Sequence, residues 1–88
     1  MNAVVTVVGK DKTGIIARVA TALYEQGANI EDISQTIMQG YFTMIMMVAM
    51  PDQTDFSAFQ QKMGALGEEI GVSVKAQHTE MFSAMHNL

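Results

Sequence analysis

Residues 9–14 read Gly-Lys-Asp-Lys-Thr-Gly. They lie between a short apolar strand, Ala3-Val4-Val5-Thr6-Val7-Val8, and an amphipathic helix that starts near Ile15. A glycine-flanked strand-to-helix turn leaves backbone N–H groups uncovered at a helix N-terminus, where the helix dipole also favours negative charge. That chemistry suits a small carboxylate. Gly14 lets a ligand approach the backbone of Gly14 to Ile16 closely. Asp11 offers an acceptor to an ammonium group. A second signal, Gly27-Ala28-Asn29-Ile30, stands at the far end of the same helix, and Asn29 carries both a donor and an acceptor. An amino acid needs that mixture. The same residues also read as ordinary connectors, an Asp-x-x-Gly turn and a Gly-x-Asn helix exit, with Asn29 satisfying its own turn. The functional reading is a small-molecule sensor, not an enzyme.

Other chemistry is poorly supplied. The nine methionines include Met44, Met46, Met47 and Met50 on one strand. Strand alternation splits them between two faces, and no Cys or clustered His joins them, so they read as core filling and not as a soft-metal site. His78 and His86 are isolated. Glu31-Asp32 and Glu68-Glu69 are adjacent in sequence and point apart, which excludes paired acid/base carboxylates. No metal or cofactor is expected. The net charge is −4 and the five cations are scattered, so there is no basic stripe for nucleic acid. With no cysteine there is no disulfide framework. No leader-like segment and no membrane-spanning run is visible, so the expected location is the cytoplasm. Hydrophobic residues make up 49% of the chain, which is apolar for so small a domain and favours self-association.

Positioning the two signals requires a specific order of elements. The helix at 14–26 carries Ile15, Ile16, Val19, Ala20, Leu23 and Tyr24 at three–four spacing, with Thr13 as its expected cap and Gly27 at its left-handed exit. Ile33, Gln35 and Ile37 share one side of a second strand of mixed exposure near a sheet edge. Gln39-Gly40 forms a tight turn into Tyr41–Met50, apolar on both faces and ended by Pro51. Thr54 or Asp55 caps a second helix with a stripe of Phe56, Phe59, Met63, Leu66 and Ile70, ending at Gly71. Val72, Val74 and Ala76 alternate with polar residues in a last strand. Met81, Phe82, Met85 and Leu88 suit a short C-terminal helix. The predicted fold is therefore α+β: a ferredoxin-like βαββαβ domain over 1–79, with a four-stranded antiparallel sheet and two helices on one face. A helical tail over 80–88 completes it. The first and third strands should be central. One apolar set on the third strand must face away from the helices and offer a contact surface.

Asp11-Lys12-Thr13-Gly14-Ile15, followed at helical distance by Gly27-Ala28-Asn29-Ile30, resembles the ACT domain family. The resemblance covers residues 2–79. The stretch Ser34-Gln35-Thr36-Ile37-Met38-Gln39, the strand start Phe42-Thr43-Met44 and the Met85-His86 tail resemble stand-alone ACT proteins of unassigned role. The resemblance implies a regulatory module that binds an amino acid or similar metabolite, paired as a homodimer or higher oligomer, with ligand at the subunit interface. It implies Asp11, Gly14, Ile15, Asn29 and Ile30 as ligand-binding positions, with Lys12 and Thr13 at variable positions of the same loop. An alternative is a ligand-independent module that binds a protein partner, similar to the glycine cleavage repressors. Two readings of the same topology fail on residues. Acylphosphatases place an arginine in the first loop, where this chain has only lysines. RNA-recognition domains stack bases on aromatics of the central strands, and the first strand here has none.

Overall fold

The computed structural model describes residues 1–10 and 13–80. Six elements follow the expected order: β1 (Asn2–Lys10), α1 (Ile15–Glu25), β2 (Asn29–Met38), β3 (Tyr41–Ala49), α2 (Phe56–Ile70) and β4 (Ser73–His78). The strands form one sheet in the order β2-β3-β1-β4, with every neighbouring pair antiparallel. The two apolar strands, β1 and β3, are the central pair. The expected tail helix over 80–88 lies, beyond Glu80, outside the described residues.

Register decides which apolar set faces the helices. Ala3, Val5 and Val7 sit opposite Val48, Met46 and Met44. These six residues share one core with Phe42, Ile15, Val19, Leu23, Phe59, Met63, Val74 and Ala76. The even-numbered residues of β3 therefore meet the helices. Ile45 and Met47 point the other way and are half-buried. On α1 only Ile15, Val19 and Leu23 are buried. Ile16 and Tyr24, expected on the core face, are exposed by 44% and 82%. Each follows a core residue by one position, which turns it about 100° around the helix and out of the seam.

Local chemistry ends each element. The β2–β3 hairpin turns through Gln39 and Gly40, both at positive φ, the two-residue pattern that matches strand twist. α1 closes as a Schellman motif: Gly27 N–H donates to the Tyr24 carbonyl at 3.0 Å and Ala28 N–H to that of Leu23 at 2.9 Å. α2 opens under the Asp55 carboxylate, which accepts from Ala58 N–H at 3.1 Å. Thr54 does not cap; its hydroxyl donates to the Pro51 carbonyl at 2.6 Å. The two helices are joined by an exposed ion pair, Arg18 to Glu69 at 2.7 Å. At the start of the chain, the Met1 ammonium donates to the Asp52 carboxylate at 2.9 Å.

Two glycines of α2 behave differently. A Cβ on Gly67 would stand 2.6 Å from the Val72 carbonyl oxygen and 3.0 Å from the Val74 nitrogen, so the helix backbone rests directly on β4. A Cβ on Gly64 would meet nothing within 4 Å.

Candidate functional site

The β1–α1 junction is where the sequence concentrates candidate chemistry. Gly14 occupies the N-cap position of α1 with φ 86° and ψ 1°, a left-handed conformation that favours glycine. Among the described residues no side chain caps this helix. The expectation that Thr13 caps it is corrected. Thr13 is exposed and precedes the cap position, and the residue at that position has no side chain to offer. The first intrahelical bond runs from Arg18 N–H to the Gly14 carbonyl at 2.9 Å. The N–H groups of Ile15, Ile16 and Ala17 precede it and have no acceptor in the helix. An added Cβ at Gly14 would find open space within 4 Å, so the approach to this backbone is unobstructed among the described residues. Asp11 and Lys12, also expected in this loop, lie outside the described residues.

The remaining expected positions separate. The Ile15 side chain is 4% exposed and belongs to the core, so this position offers its N–H and not its side chain. Asn29 is exposed at the start of β2, opposite Ala49, and Ile30 is half-buried, packed against the core opposite Val48. Ala49 in turn pairs with Asn2, the first residue of β1. Gly14 follows Lys10, the last residue of β1, which pairs with Tyr41. Within one chain the bare helix start and Asn29 are thus at opposite ends of the sheet. A nine-residue strand spans about 27 Å, so no amino acid can touch both in one protomer.

The sheet leaves its β2 edge open. Among the described residues β2 pairs only with β3, leaving its outer edge unpaired in the sheet. Its Ile33 and Ile37 face the helix side by register and are about half exposed, 45% and 52%. A second copy pairing antiparallel along β2 would bring its own Asn29 beside Met38. Met38 is the β2 residue opposite Tyr41, at the Gly14 end of the first chain.

A separate concavity is lined by Met1, Asn2, His78, Thr79 and Glu80. It lies on the β4 side of the sheet and shares no residue with the expected site. His78 is occupied by a stacked contact with Phe56, ring centres 3.8 Å apart. Among the described residues no group of His, Cys, Asp or Glu is arranged to hold a metal ion. No helix among them is long and apolar enough to cross a membrane.

Comparison with known proteins agrees with the fold and the motif. The family model of the ACT domain matches residues 2–77. A UPF0237 protein of Lactococcus lactis is 53% identical over 88 residues, covering all of both chains. The solved ACT domain protein from Streptococcus pneumoniae superposes with a TM-score of 0.85 at 41% identity, over 93% of each chain. A candidate glycine cleavage system transcriptional repressor superposes at 0.76 and 22% identity, over 86% of this chain and 44% of its own; that likeness is one of fold. The chain belongs to the ACT domain family, whose members are regulatory ligand-binding domains.

Proposed function

We propose that this chain senses an amino acid or a closely related carboxylate as a homodimer in the cytoplasm, performs no chemistry on it, and passes the bound state to a partner protein. The uncapped start of α1 carries this reading: three backbone N–H groups beside an unobstructed Gly14, at a position where a carboxylate is electrostatically favoured. The partner chain's start of β2 would supply the amide of Asn29, and antiparallel pairing of the two β2 edges would bring it there. That pairing would also cover Ile33 and Ile37. Resemblance implies Asp11 as a ligand-binding position, and its carboxylate would accept from the ammonium group of the ligand.

Most amino acids have about seven to twelve heavy atoms, and at about 0.6 kcal/mol per atom such a ligand gains roughly 4–7 kcal/mol. That corresponds to dissociation constants from about 1 mM to about 10 μM. A thermal-shift screen of the twenty amino acids at about 10 mM tests the reading. Occupancy tenfold above Kd stabilises by about 1.4 kcal/mol, which raises Tm by roughly 6–11 °C for a chain this size. At least one amino acid should reach that range. If none shifts the transition, the protein-interaction alternative replaces the sensor.

A further inference from the structure

The two edges of the sheet are finished differently. β4 is six residues long and carries the exposed Lys75 mid-strand. Its Ala76 carbonyl accepts from the Gln60 side-chain amide of α2 at 2.8 Å. Short length, an exposed lysine and a covering side chain all blunt an edge against further pairing. β2 is ten residues long and is guarded near its start only. Ile30 pairs with Val48 and Asp32 with Met47, which leaves Glu31 as the extra residue of a bulge. The bulge and the two acids disfavour a further strand at that end. From Asp32 to Met38 the pairing with β3 is unbroken, all seven residues are exposed, and none after Asp32 is charged.

We infer that a second copy adds antiparallel along this stretch with Gln35 on the two-fold axis, a register that rests on the homodimer reading above and makes it specific. In an isologous antiparallel pair the strand faces itself, and residues directly opposite share a sheet face. One residue therefore lies on the axis, and its identity fixes every other pair. Gln35 is the centre of the unbroken stretch, so an axis there pairs all seven residues regularly. Each one-residue displacement of the axis takes two of them out of regular pairing. This register alone sets Ile33 of each chain opposite Ile37 of its partner. Both face the helix side, opposite the buried Met46 and Phe42, and are 45% and 52% exposed. The two aliphatic pairs then carry the core across the seam. Asp32 falls opposite the partner's Met38, so no like charges meet. On the outer face Ser34 meets the partner's Thr36, a hydroxyl pair that can exchange a hydrogen bond. Asn29 of each chain stays at the Met38 end of the other, as a shared site requires.

The chain has no cysteine, so single cysteines in the full chain report the register. Directly opposite residues bring their Cα atoms to about 4.5–5.5 Å, within disulfide reach. Diagonal neighbours stand about 7–8 Å apart, beyond it. Under diamide, Gln35→Cys should form a covalent dimer at least about tenfold faster than Ile33→Cys, Ser34→Cys, Thr36→Cys or Ile37→Cys. Ile33→Cys and Ile37→Cys should each stay slow alone and cross-link when mixed and re-equilibrated. All five positions are exposed, so the fold tolerates the substitutions. A faster homodimer from any of the other four positions moves the axis and overturns the register. So does a mixture no faster than its components, or the absence of any cross-link in a chain of dimeric mass. A monomeric mass for the parent by light scattering overturns the register and the homodimer together. An amino acid that raises Tm without a Gln35→Cys cross-link overturns the register and leaves the sensor standing. The cross-link without any such amino acid supports the register and removes the sensor.

Discussion

The two helices of this domain begin in opposite ways. α2 starts under a carboxylate of its own chain, Asp55, and is pressed onto β4 through Gly67. α1 starts with a left-handed glycine and, among the described residues, no side chain over its first N–H groups. A helix end left bare inside a small domain forgoes about 1 kcal/mol that a cap would supply. The contrast separates a helix start held by its own carboxylate from one whose first N–H groups have no acceptor within the helix.

The largest effect should come from the close approach that α2 makes and α1 does not. Gly67→Ala puts a methyl group against the backbone of Val72 and Val74, and overpacking of this kind costs about 1–3 kcal/mol. Thermal unfolding should show a fall in Tm on the order of 10 °C. Next is the cap. Asp55→Ala should cost about 1 kcal/mol, whereas Thr13→Ala, at the uncapped helix, should leave stability within about 0.5 kcal/mol of the parent. Urea denaturation of both variants measures the pair, and an equal loss in each would erase the distinction between the junctions. Smaller, and opposite in sign, is Gly64→Ala: the added methyl meets nothing within 4 Å, so helix propensity alone should raise stability by about 0.5–1 kcal/mol. The smallest effect concerns Asp52, whose carboxyl is held below the usual range first by the hydrogen bond from the N-terminal ammonium and then by its charge. A depressed folded-state pKa stabilises above the unfolded value of about 3.9 and is lost as pH falls through the folded one. Asp52→Asn should therefore lower Tm slightly at neutral pH, and the difference should shrink as pH falls below the unfolded value of about 3.9, which a pH series of melting curves will show.

Much of this architecture was legible because punctuation and periodicity agreed. Gly27, the Gln39-Gly40 pair, Pro51 and Gly71 mark where elements end, and the apolar stripe from Phe56 to Ile70 has a single period. β3 was ambiguous for a physical reason: both of its faces are apolar, and only pairing with β1 shows that Met44 and Met46 are the inward set. Thr13 misled because a threonine beside a glycine at a helix start looks like a cap, whereas the backbone places Gly14 in that position. Ile15 carried a motif signal and a core signal at once, and its side chain follows the core. The separation of Gly14 and Asn29 was legible, because the eleven-residue α1 lies between them; the register that puts Asn29 opposite Ala49 was not, because strand pairing is not encoded in local spacing.

The central claim is that the ligand site takes its helix N-terminus from one chain and Asn29 from the other. Mixing two defective variants, Gly14→Val and Asn29→Ala, tests it by titration calorimetry with whichever amino acid raises Tm. Each variant alone lacks one half of every site and should bind at least about tenfold more weakly than the parent. In an equimolar, re-equilibrated mixture half of the dimers are mixed, and each mixed dimer has one site with both halves intact. Binding of parental affinity should then return at about a quarter of the parental capacity. If the mixture binds no better than the separate variants, the two groups do not belong to one shared site, and the account fails.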